Sequence, residues 1–184
     1  MGRSTIYNQI AKPEKLANVN QDNIELGTDW LEYLQSIDRS PQSIKSYSSD
    51  LNIFWVWNLE FNKNKLFTEL TKREVAKFQN HAINVWGWSP NRIRRVKSCL
   101  SSLSNYIENI LDDEKEFQDF KPIIRKIENP AKSAVREKTI LSDDAVEHLL
   151  DTLVNRKEYE RAACVAIAAY SGMRKSELLQ MKVS

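Results

Sequence analysis

The sequence has few residues of the kinds that cross-link a fold or bind metals. Its 184 residues include two cysteines and two histidines. Cys99 and Cys164 each lie inside an apolar helical pattern, so we expect two reduced core thiols rather than a disulfide or a metal pair. His81 and His148 are far apart and no Cys/His cluster accompanies them. The sequence therefore gives no indication of a zinc site or of another metal site.

Long hydrophobic runs are also missing. No apolar stretch reaches the roughly 18 residues of a membrane-spanning helix, and the first residues, Met-Gly-Arg-Ser-Thr-Ile-Tyr, lack the hydrophobic stretch of a secretion signal. The hydrophobic share of 41% is nevertheless enough for a core. We therefore expect a cytoplasmic protein that has no membrane partner.

Neither sign of charge is in large excess, but the charges are unevenly distributed. The formal net charge is only +2. Residues 90–98 contain four basic residues and no acid, and residues 121–138 contain six basic residues against two glutamates. The acidic residues between these runs are Asp112, Asp113, Glu114, Glu116 and Asp119. We expect the acidic segment to face away from a polyanion and the two basic runs to be available to one.

The residue pattern predicts a mainly α protein. Ser40-Pro41 and Ser89-Pro90 each place an N-cap and a first-turn proline before apolar residues at helical spacing. Thr71 and Glu74 form a capping-box pattern that opens another helix. An earlier helix is marked by Ile24, Trp30, Leu31 and Leu34. No strand-like alternation of useful length occurs before residue 138.

The tryptophans have two possible roles. Four of them could stack on nucleic-acid bases, but their helical spacing favours core packing: Trp55, Trp57, Trp86 and Trp88. We therefore expect core aromatics.

Turn and charge signals divide the chain after the fourth helix. Residues 111–137 combine the acidic stretch, Pro122, Asn129-Pro130 and a basic run, which predicts a short helix and then an exposed linker. Ser142 is predicted to cap a following helix through Leu153. The predicted divisions are a tail of residues 1–23, a helical domain of residues 24–128, a basic linker of residues 129–137, and an incomplete domain of residues 138–184.

The most informative run extends from Ala168 to Leu179. Residues 161–169 are almost all small and apolar, so we expect a helix that is buried on most faces and ends at a left-handed Gly172. Arg174 then opens the next helix, where its guanidinium and free backbone N–H groups can hold one phosphate. Glu177 can brace Arg174. The residues alone leave open that these two side chains form only a surface ion pair.

The run Ser171-Gly172-Met173-Arg174-Lys175-Ser176-Glu177 resembles the first catalytic-arginine box of the tyrosine recombinases, also called phage integrases. The family pattern is usually written Thr-Gly-hydrophobic-Arg-x-x-Glu, and Ser171 keeps the small hydroxyl. Residues 40–54 resemble the opening of the family's core-binding domain, and residues 88–103 resemble that domain's last long helix. Residues 129–130 and 138–150 resemble the interdomain linker and the first helix of the catalytic domain. The resemblance spans residues 24–184.

This resemblance implies a helical SAM-like core-binding domain followed by the first helices of a tyrosine-recombinase catalytic domain. In this family a tyrosine attacks a DNA phosphodiester to give a 3′-phosphotyrosyl link, without a metal, a nucleotide cofactor or a small-molecule substrate. The resemblance assigns Arg174 as catalytic and Glu177 as its support. It finds no counterpart here for the hairpin lysine, the His-x-x-Arg box or the tyrosine nucleophile, since Tyr170 precedes the arginine box. We therefore expect a truncated part of a longer protein that by itself does not cut DNA.

The resemblance also assigns a DNA-binding surface. The residues predicted to contact double-stranded DNA are Gln42, Ser43, Lys45, Ser46, Asn91, Arg92, Arg94, Arg95, Ser98, Lys132 and Arg136. The full-length protein is expected to act as a homo-oligomer on a recombination site, in DNA integration or recombination of a mobile element. Residues 1–23 are either a disordered tail or the remains of an arm-binding segment.

Two alternatives from other classes stay open. One is a shortened, inactive integrase that binds DNA as a competitor or regulator. The other is a helical protein-interaction module whose charged helix faces are merely solvated. The salt dependence of DNA binding would separate the second alternative from the DNA-binding hypotheses.

Overall fold

The computed structural model describes residues 6–131 and 140–181. The chain divides into two compact units, one up to residue 133 and one from residue 134. The described residues are helical and contain no strand, which confirms the predicted mainly α fold. The predicted DNA contacts Lys132 and Arg136 lie outside the described residues. Within the described ranges, no helix combines the length and apolar character that a membrane span requires.

The first unit contains six α-helices and two short 3₁₀ helices among its described residues. The α-helices are α1 (Ile6–Ile10), α2 (Pro13–Leu16), α3 (Gln21–Ser36), α4 (Pro41–Phe61), α5 (Lys72–Asn84) and α6 (Pro90–Ile110). The 3₁₀ helices span Phe67–Glu69 and Ile124–Lys126. The four long helices are those that the sequence predicts.

The helices begin where the capping residues place them. The Ser40 side chain accepts a hydrogen bond from the Ser43 N–H, and Ser89 accepts one from the Arg92 N–H, so α4 and α6 each have a capped first turn. At the start of α5, Thr71 Oγ1 accepts from the Glu74 N–H while Glu74 Oε2 accepts from the Thr71 N–H. These bonds confirm the three predicted starts, because each satisfies a backbone donor that the helix itself leaves free.

Aromatic side chains form much of the core of this unit. Trp30, Trp55, Phe54 and Phe78 are almost completely buried, and the Phe54 and Phe78 rings meet edge to face at 5.1 Å. Packing aromatic rings in this way buries large apolar areas at favourable ring geometry. Of the four tryptophans expected in the core, three are buried and one is partly buried against it: Trp55, Trp57 and Trp88, and Trp86, respectively. The core role is therefore confirmed.

The segment before α3 differs from the predicted tail. Ala11 and Val19 are buried, the Tyr7 hydroxyl accepts a hydrogen bond from Asn52 Nδ2 at 3.2 Å, and both α1 and α2 pack against α4. Residues 6–23 are thus part of the helical unit rather than a tail. Few apolar anchors are sufficient here because α4 offers them an existing apolar surface.

The segment after α6 contains the predicted short helix. It is the 3₁₀ helix Ile124–Lys126, which follows a series of turns, and Ile124 is almost completely buried. Phe117, Phe120 and Ile127 pack against the core as well. Apolar residues spaced through residues 117–127 thus return the chain to the helical core, and most of the predicted linker of residues 129–137 lies outside the described residues.

The second unit contains three helices among its described residues. These are α7 (Asp143–Asn155), α8 (Tyr159–Ser171) and α9 (Lys175–Leu178). Ser142 accepts a hydrogen bond from the Ala145 N–H and caps α7 as predicted. Gly172 ends α8 with φ +65°, the left-handed conformation that glycine adopts without steric cost.

The predicted burial of α8 is wrong. Among the described residues of α8 only Ala162 is buried, and Tyr170 is 71% exposed. Cys164 is also exposed, contrary to its prediction as a core thiol, whereas Cys99 is a buried free thiol as predicted. The physical reason is that α8 packs only against α7 and α9 in the described part of this unit, so most of its apolar surface has no neighbour.

Candidate nucleic-acid interface

Helix α6 separates an apolar stripe from an exposed ridge. Ile93, Val96, Leu100 and Leu103 are fully buried. The exposed residues on the opposite side are Asn91, Arg95 and Ser98. The spacing of 3.6 residues per turn produces this division. The predicted orientation of α6 is therefore confirmed, while the DNA contacts themselves remain predictions.

A buried carboxylate of α4 fixes two arginines of α6. Asp50 is fully buried. Its Oδ1 lies 2.7 Å from Arg92 Nη1. Arg95 reaches both oxygens, with Nε 2.9 Å from Oδ2 and Nη2 2.8 Å from Oδ1. Two guanidinium groups share one carboxylate, so the cluster keeps a net positive charge.

The two arginines differ in how much of each side chain is exposed. The Arg95 side chain remains 51% exposed although it is held by Asp50. Arg92 is more enclosed, and its guanidinium carbon lies 4.9 Å from the centre of the Trp88 ring, a cation–π contact. Burial raises the pKa of the Asp50 carboxyl above its usual range, and the neighbouring Arg95 charge partly offsets that increase.

Sequence reasoning did not identify Asp50, although the sequence contained a signal for it. Asp50 lies three residues after Tyr47 and four before Phe54, both on the apolar stripe of α4. A charged residue at a stripe position is expected to be buried and paired. Its partner could not be deduced, because that requires knowing which helix packs against α4.

The other side of α6 holds the chain that leaves the helical unit. Arg94 Nη2 donates to the Pro130 carbonyl at 2.7 Å. The buried Lys97 ammonium donates to the carbonyls of Ile127 and Glu128 at 2.7 and 2.9 Å, and to Gln79 Oε1 at 3.2 Å. Burial, followed by repulsion from Arg94, lowers the pKa of Lys97. All three protons of Lys97 have acceptors, so this residue contributes charge rather than free donors.

The predicted contacts on α4 fall into two groups. Gln42 and Lys45 are exposed, and the Lys45 ammonium has no acceptor among the described residues. Ser43 and Ser46 are half-buried, and the Ser43 hydroxyl accepts a hydrogen bond from Ser40 Oγ at 2.8 Å within the N-cap. Gln42 and Lys45 are thus the more accessible members of the set.

The predicted DNA contacts of α4 and those of α6 lie in the same compact unit. The two helices pack with opposite chain directions, because Cys99 Sγ meets the Tyr47 carbonyl at 3.6 Å while the earlier Arg95 meets the later Asp50. Burial raises the pKa of the Cys99 thiol well above its usual range. A buried, protonated thiol is unreactive, so Cys99 acts here as a packing residue.

In the second unit, Arg174 and Glu177 form the predicted pair. Arg174 Nη1 lies 3.0 Å from Glu177 Oε1, and the Arg174 N–H donates to Glu177 Oε2 at 2.9 Å. The Arg174 side chain is 83% exposed. The pair orients the guanidinium at the start of α9 and leaves most of it accessible.

The parts of the chain that the structure describes contain no group of three or more histidine, cysteine, aspartate or glutamate side chains arranged to hold a metal ion.

Comparisons with known proteins point to one family. Residues 26–116 match the family described as phage integrase, N-terminal SAM-like domain. The chain is also similar to the SPbeta prophage-derived recombinase-like protein YomM of Bacillus subtilis (strain 168), with 30% identity over 153 residues. This alignment covers 82% of the chain and 45% of the relative, so the aligned part of the chain spans less than half the length of that protein. No solved structure matches the chain.

Proposed function

The chain belongs to the tyrosine recombinase family, also called the phage integrases, and we propose that it is the DNA-binding amino-terminal part of a site-specific recombinase. The observation that carries this proposal is the exposed ridge of α6, where Asp50 holds Arg95 in place and leaves half of its side chain open. The matched SAM-like region, residues 26–116, contains both this ridge and α4.

The chemistry of the surface fits a duplex. Exposed cations such as Arg95 and Lys45 suit phosphate oxygens, which fix the position of a protein on DNA. Asn91, Gln42 and Ser98 are exposed and can form hydrogen bonds with base edges in a major groove. Holding Arg95 in advance reduces the side-chain entropy that is lost on binding.

For the whole recombinase we propose that DNA strands are broken and rejoined through a 3′-phosphotyrosyl intermediate. Arg174 would donate to the non-bridging oxygens of the scissile phosphate, where negative charge develops in the transition state. Glu177 would keep the Arg174 guanidinium oriented, as its 3.0 Å contact with Nη1 supports. The proposed partner is a double-stranded recombination site bound by several protomers.

A second candidate function uses the same surface without the chemistry. The 184-residue chain would then compete with or regulate a complete recombinase on its DNA site. The two functions differ in one product: a recombinase forms a covalent protein–DNA adduct that survives denaturation, whereas a competitor or regulator does not. Incubation of the complete natural gene product with a nicked duplex, followed by denaturing electrophoresis, distinguishes them, whereas the 184-residue chain should form no adduct under either function.

Duplex binding is tested by fluorescence anisotropy over a range of salt concentrations. We expect the affinity to fall steeply between about 50 and 200 mM salt, because neutralising several phosphates releases counterions. Lys45→Gln should weaken binding and reduce the salt slope by about one. Lys115→Gln is the matched control, because it removes the same charge from the exposed acidic segment. A flat salt response, or equal effects of the two variants, would contradict the proposed surface.

A further inference from the structure

A polar groove lies beside the α6 ridge. It has a volume of about 260 Å³ and lies between α6 and residues 124–129. Its polar lining residues are Arg94, Lys97, Ser98, Ser101, Arg125 and Asn129. Three of these side chains are cationic and none is acidic. The groove is therefore a positive concavity within the first unit.

Hydrogen bonding in the groove leaves specific donors unused. Arg94 Nη2 is bound to the Pro130 carbonyl, but the buried Arg94 Nε has no partner among the described residues. The hydroxyls of Ser98 and Ser101 likewise have no partner within the described ranges. Arg94 Nε is shielded from solvent, so the free donors that a ligand in the groove can reach are the two serine hydroxyls.

The electrostatics favour a negative acceptor. Lys97 is buried next to Arg94, and the repulsion between these two cations contributes to the lowered pKa of Lys97 after burial itself. Arg125 is paired with Glu108 at 3.2 Å. Arg94 and Lys97 are therefore the two cations of the groove that have no carboxylate partner. An anion in the groove would interact favourably with both.

We propose that this groove is a site for one phosphate group, occupied by a backbone phosphodiester of the DNA that the α6 ridge faces. The hydroxyls of Ser98 and Ser101 donate to its oxygens, and Arg94 and Lys97 supply fixed positive charge. This inference rests on the proposed function for the source of the phosphate. A phosphodiester and free inorganic phosphate share the oxyanion chemistry, and the experiment separates them.

The first arm of the test uses inorganic phosphate. The melting temperature of the 184-residue protein is compared in phosphate and in chloride of equal ionic strength. A ligand that binds the folded state raises the melting temperature, so phosphate should raise it for the wild type. Ser101→Asp places a carboxylate in the groove without removing the Arg94–Pro130 bond, and it should abolish the increase. Ser102→Asp is the matched control, since the adjacent Ser102 does not line the groove.

The second arm uses duplex DNA. Ser101→Asp should weaken duplex binding about tenfold relative to Ser102→Asp, as expected for the loss of a charge-assisted phosphate contact. Arg94→Gln should reduce the salt slope by about one. Arg73→Gln, which removes an exposed arginine from the first turn of α5, should leave the slope unchanged.

Each combination of results has one meaning. The inference is overturned if phosphate does not raise the melting temperature of the wild type, or if Ser101→Asp and Ser102→Asp bind duplex DNA equally well. In either case the proposed function stands as long as the wild type binds duplex DNA. A phosphate effect that Ser101→Asp abolishes, in a protein that binds no duplex, supports the oxyanion site and removes the proposed function. Loss of both effects in Ser101→Asp supports the full inference.

Discussion

At the scale of single residues, Asp50 connects the fold with the proposed interface. It is fully buried and forms ion pairs with two arginines of another helix. Removing one partner of a buried ion pair is usually far more costly than the pair is stabilising, because the remaining charge loses its compensation. The same carboxylate that joins α4 to α6 therefore also sets the direction of Arg92 and Arg95.

We predict that Asp50→Asn lowers the free energy of unfolding by about 3 kcal/mol. Urea denaturation followed by circular dichroism measures this change. Asp29→Asn is the matched control, because Asp29 is an exposed aspartate of α3 and its loss should change stability by less than about 0.5 kcal/mol. Similar stabilities for the two variants would show that the Asp50 cluster does not hold α4 and α6 together.

His81 provides a pH-dependent prediction. Its ring lies 4.4 Å from the Phe61 ring and 4.8 Å from the Trp86 ring, and burial lowers the pKa of its imidazole below 6.5, partly opposed by the Glu60 charge. Because the folded-state pKa is lowered, the contribution of the neutral imidazole to stability is present above pH 6.5 and is lost as the pH falls through the folded-state pKa. The wild type should thus lose stability between about pH 7 and pH 5.

The measurement is the urea midpoint at several pH values in that interval. His81→Gln should lose less stability on acidification than the wild type, because it has no imidazole to protonate. His148→Gln, at an exposed position of α7, should retain the wild-type pH dependence. If His81→Gln and the wild type gave parallel curves, protonation of His81 would not be the cause.

Residue-scale prediction from the sequence was uneven. The apolar stripe and the exposed ridge of α6 could be predicted, because helical periodicity determines which side chains share a face. The buried roles of Asp50 and Lys97 could not be assigned, since their partners lie 42 or more residues away for Asp50 and 18 to 31 residues away for Lys97. Contacts between distant residues depend on helix packing, which the local pattern does not contain.

At the scale of secondary-structure elements, side-chain caps determine where the helices begin. Thr71 and Glu74 satisfy each other's backbone N–H groups at the start of α5. Burial raises the pKa of Glu74, but hydrogen bonds from Lys65 and Thr71 outweigh it and leave that pKa below its usual value. The cap is therefore ionised, and at its strongest, at neutral pH.

We predict that Thr71→Ala lowers the free energy of unfolding by about 1 kcal/mol through loss of this cap. Thr28→Ala is the matched control: Thr28 is also exposed, but its hydroxyl only bonds back to the Ile24 carbonyl within α3. Alanine is the better helix former at that interior position, so Thr28→Ala should be neutral or slightly stabilising. A comparable loss in both variants would argue against a specific capping contribution.

Elements with strong local signals were predicted well and elements with weak signals were not. The starts of α4, α5 and α6 each carry a cap residue that acts within one turn. The two short helices before residue 21 have weaker local signals, and their position depends on packing against α4. Short helices obtain most of their stability from tertiary contacts, which explains why sequence reasoning treated them as a tail.

At the scale of the whole molecule, the two compact units differ in how much core they contain. The first unit buries a cluster of aromatic and aliphatic side chains drawn mainly from α3 to α6. In the described part of the second unit only Ala162 is buried, and large apolar side chains such as Tyr159, Tyr170 and Leu179 are exposed. Stability follows buried apolar area, so the first unit should be much the more stable of the two.

We therefore predict that limited proteolysis of the 184-residue protein first degrades residues 140–181 and leaves a resistant fragment that ends near residue 131. Local opening exposes cleavage sites most often where few apolar contacts are buried. Mass spectrometry of the products identifies the fragment, and anisotropy with duplex DNA then measures its affinity. The proposed interface of α4 and α6 lies wholly within that fragment, so its affinity should stay within about threefold of the intact protein's, under 1 kcal/mol. Early cleavage within α3 to α6, or loss of duplex binding by a folded fragment, would contradict this division of stability and binding between the units.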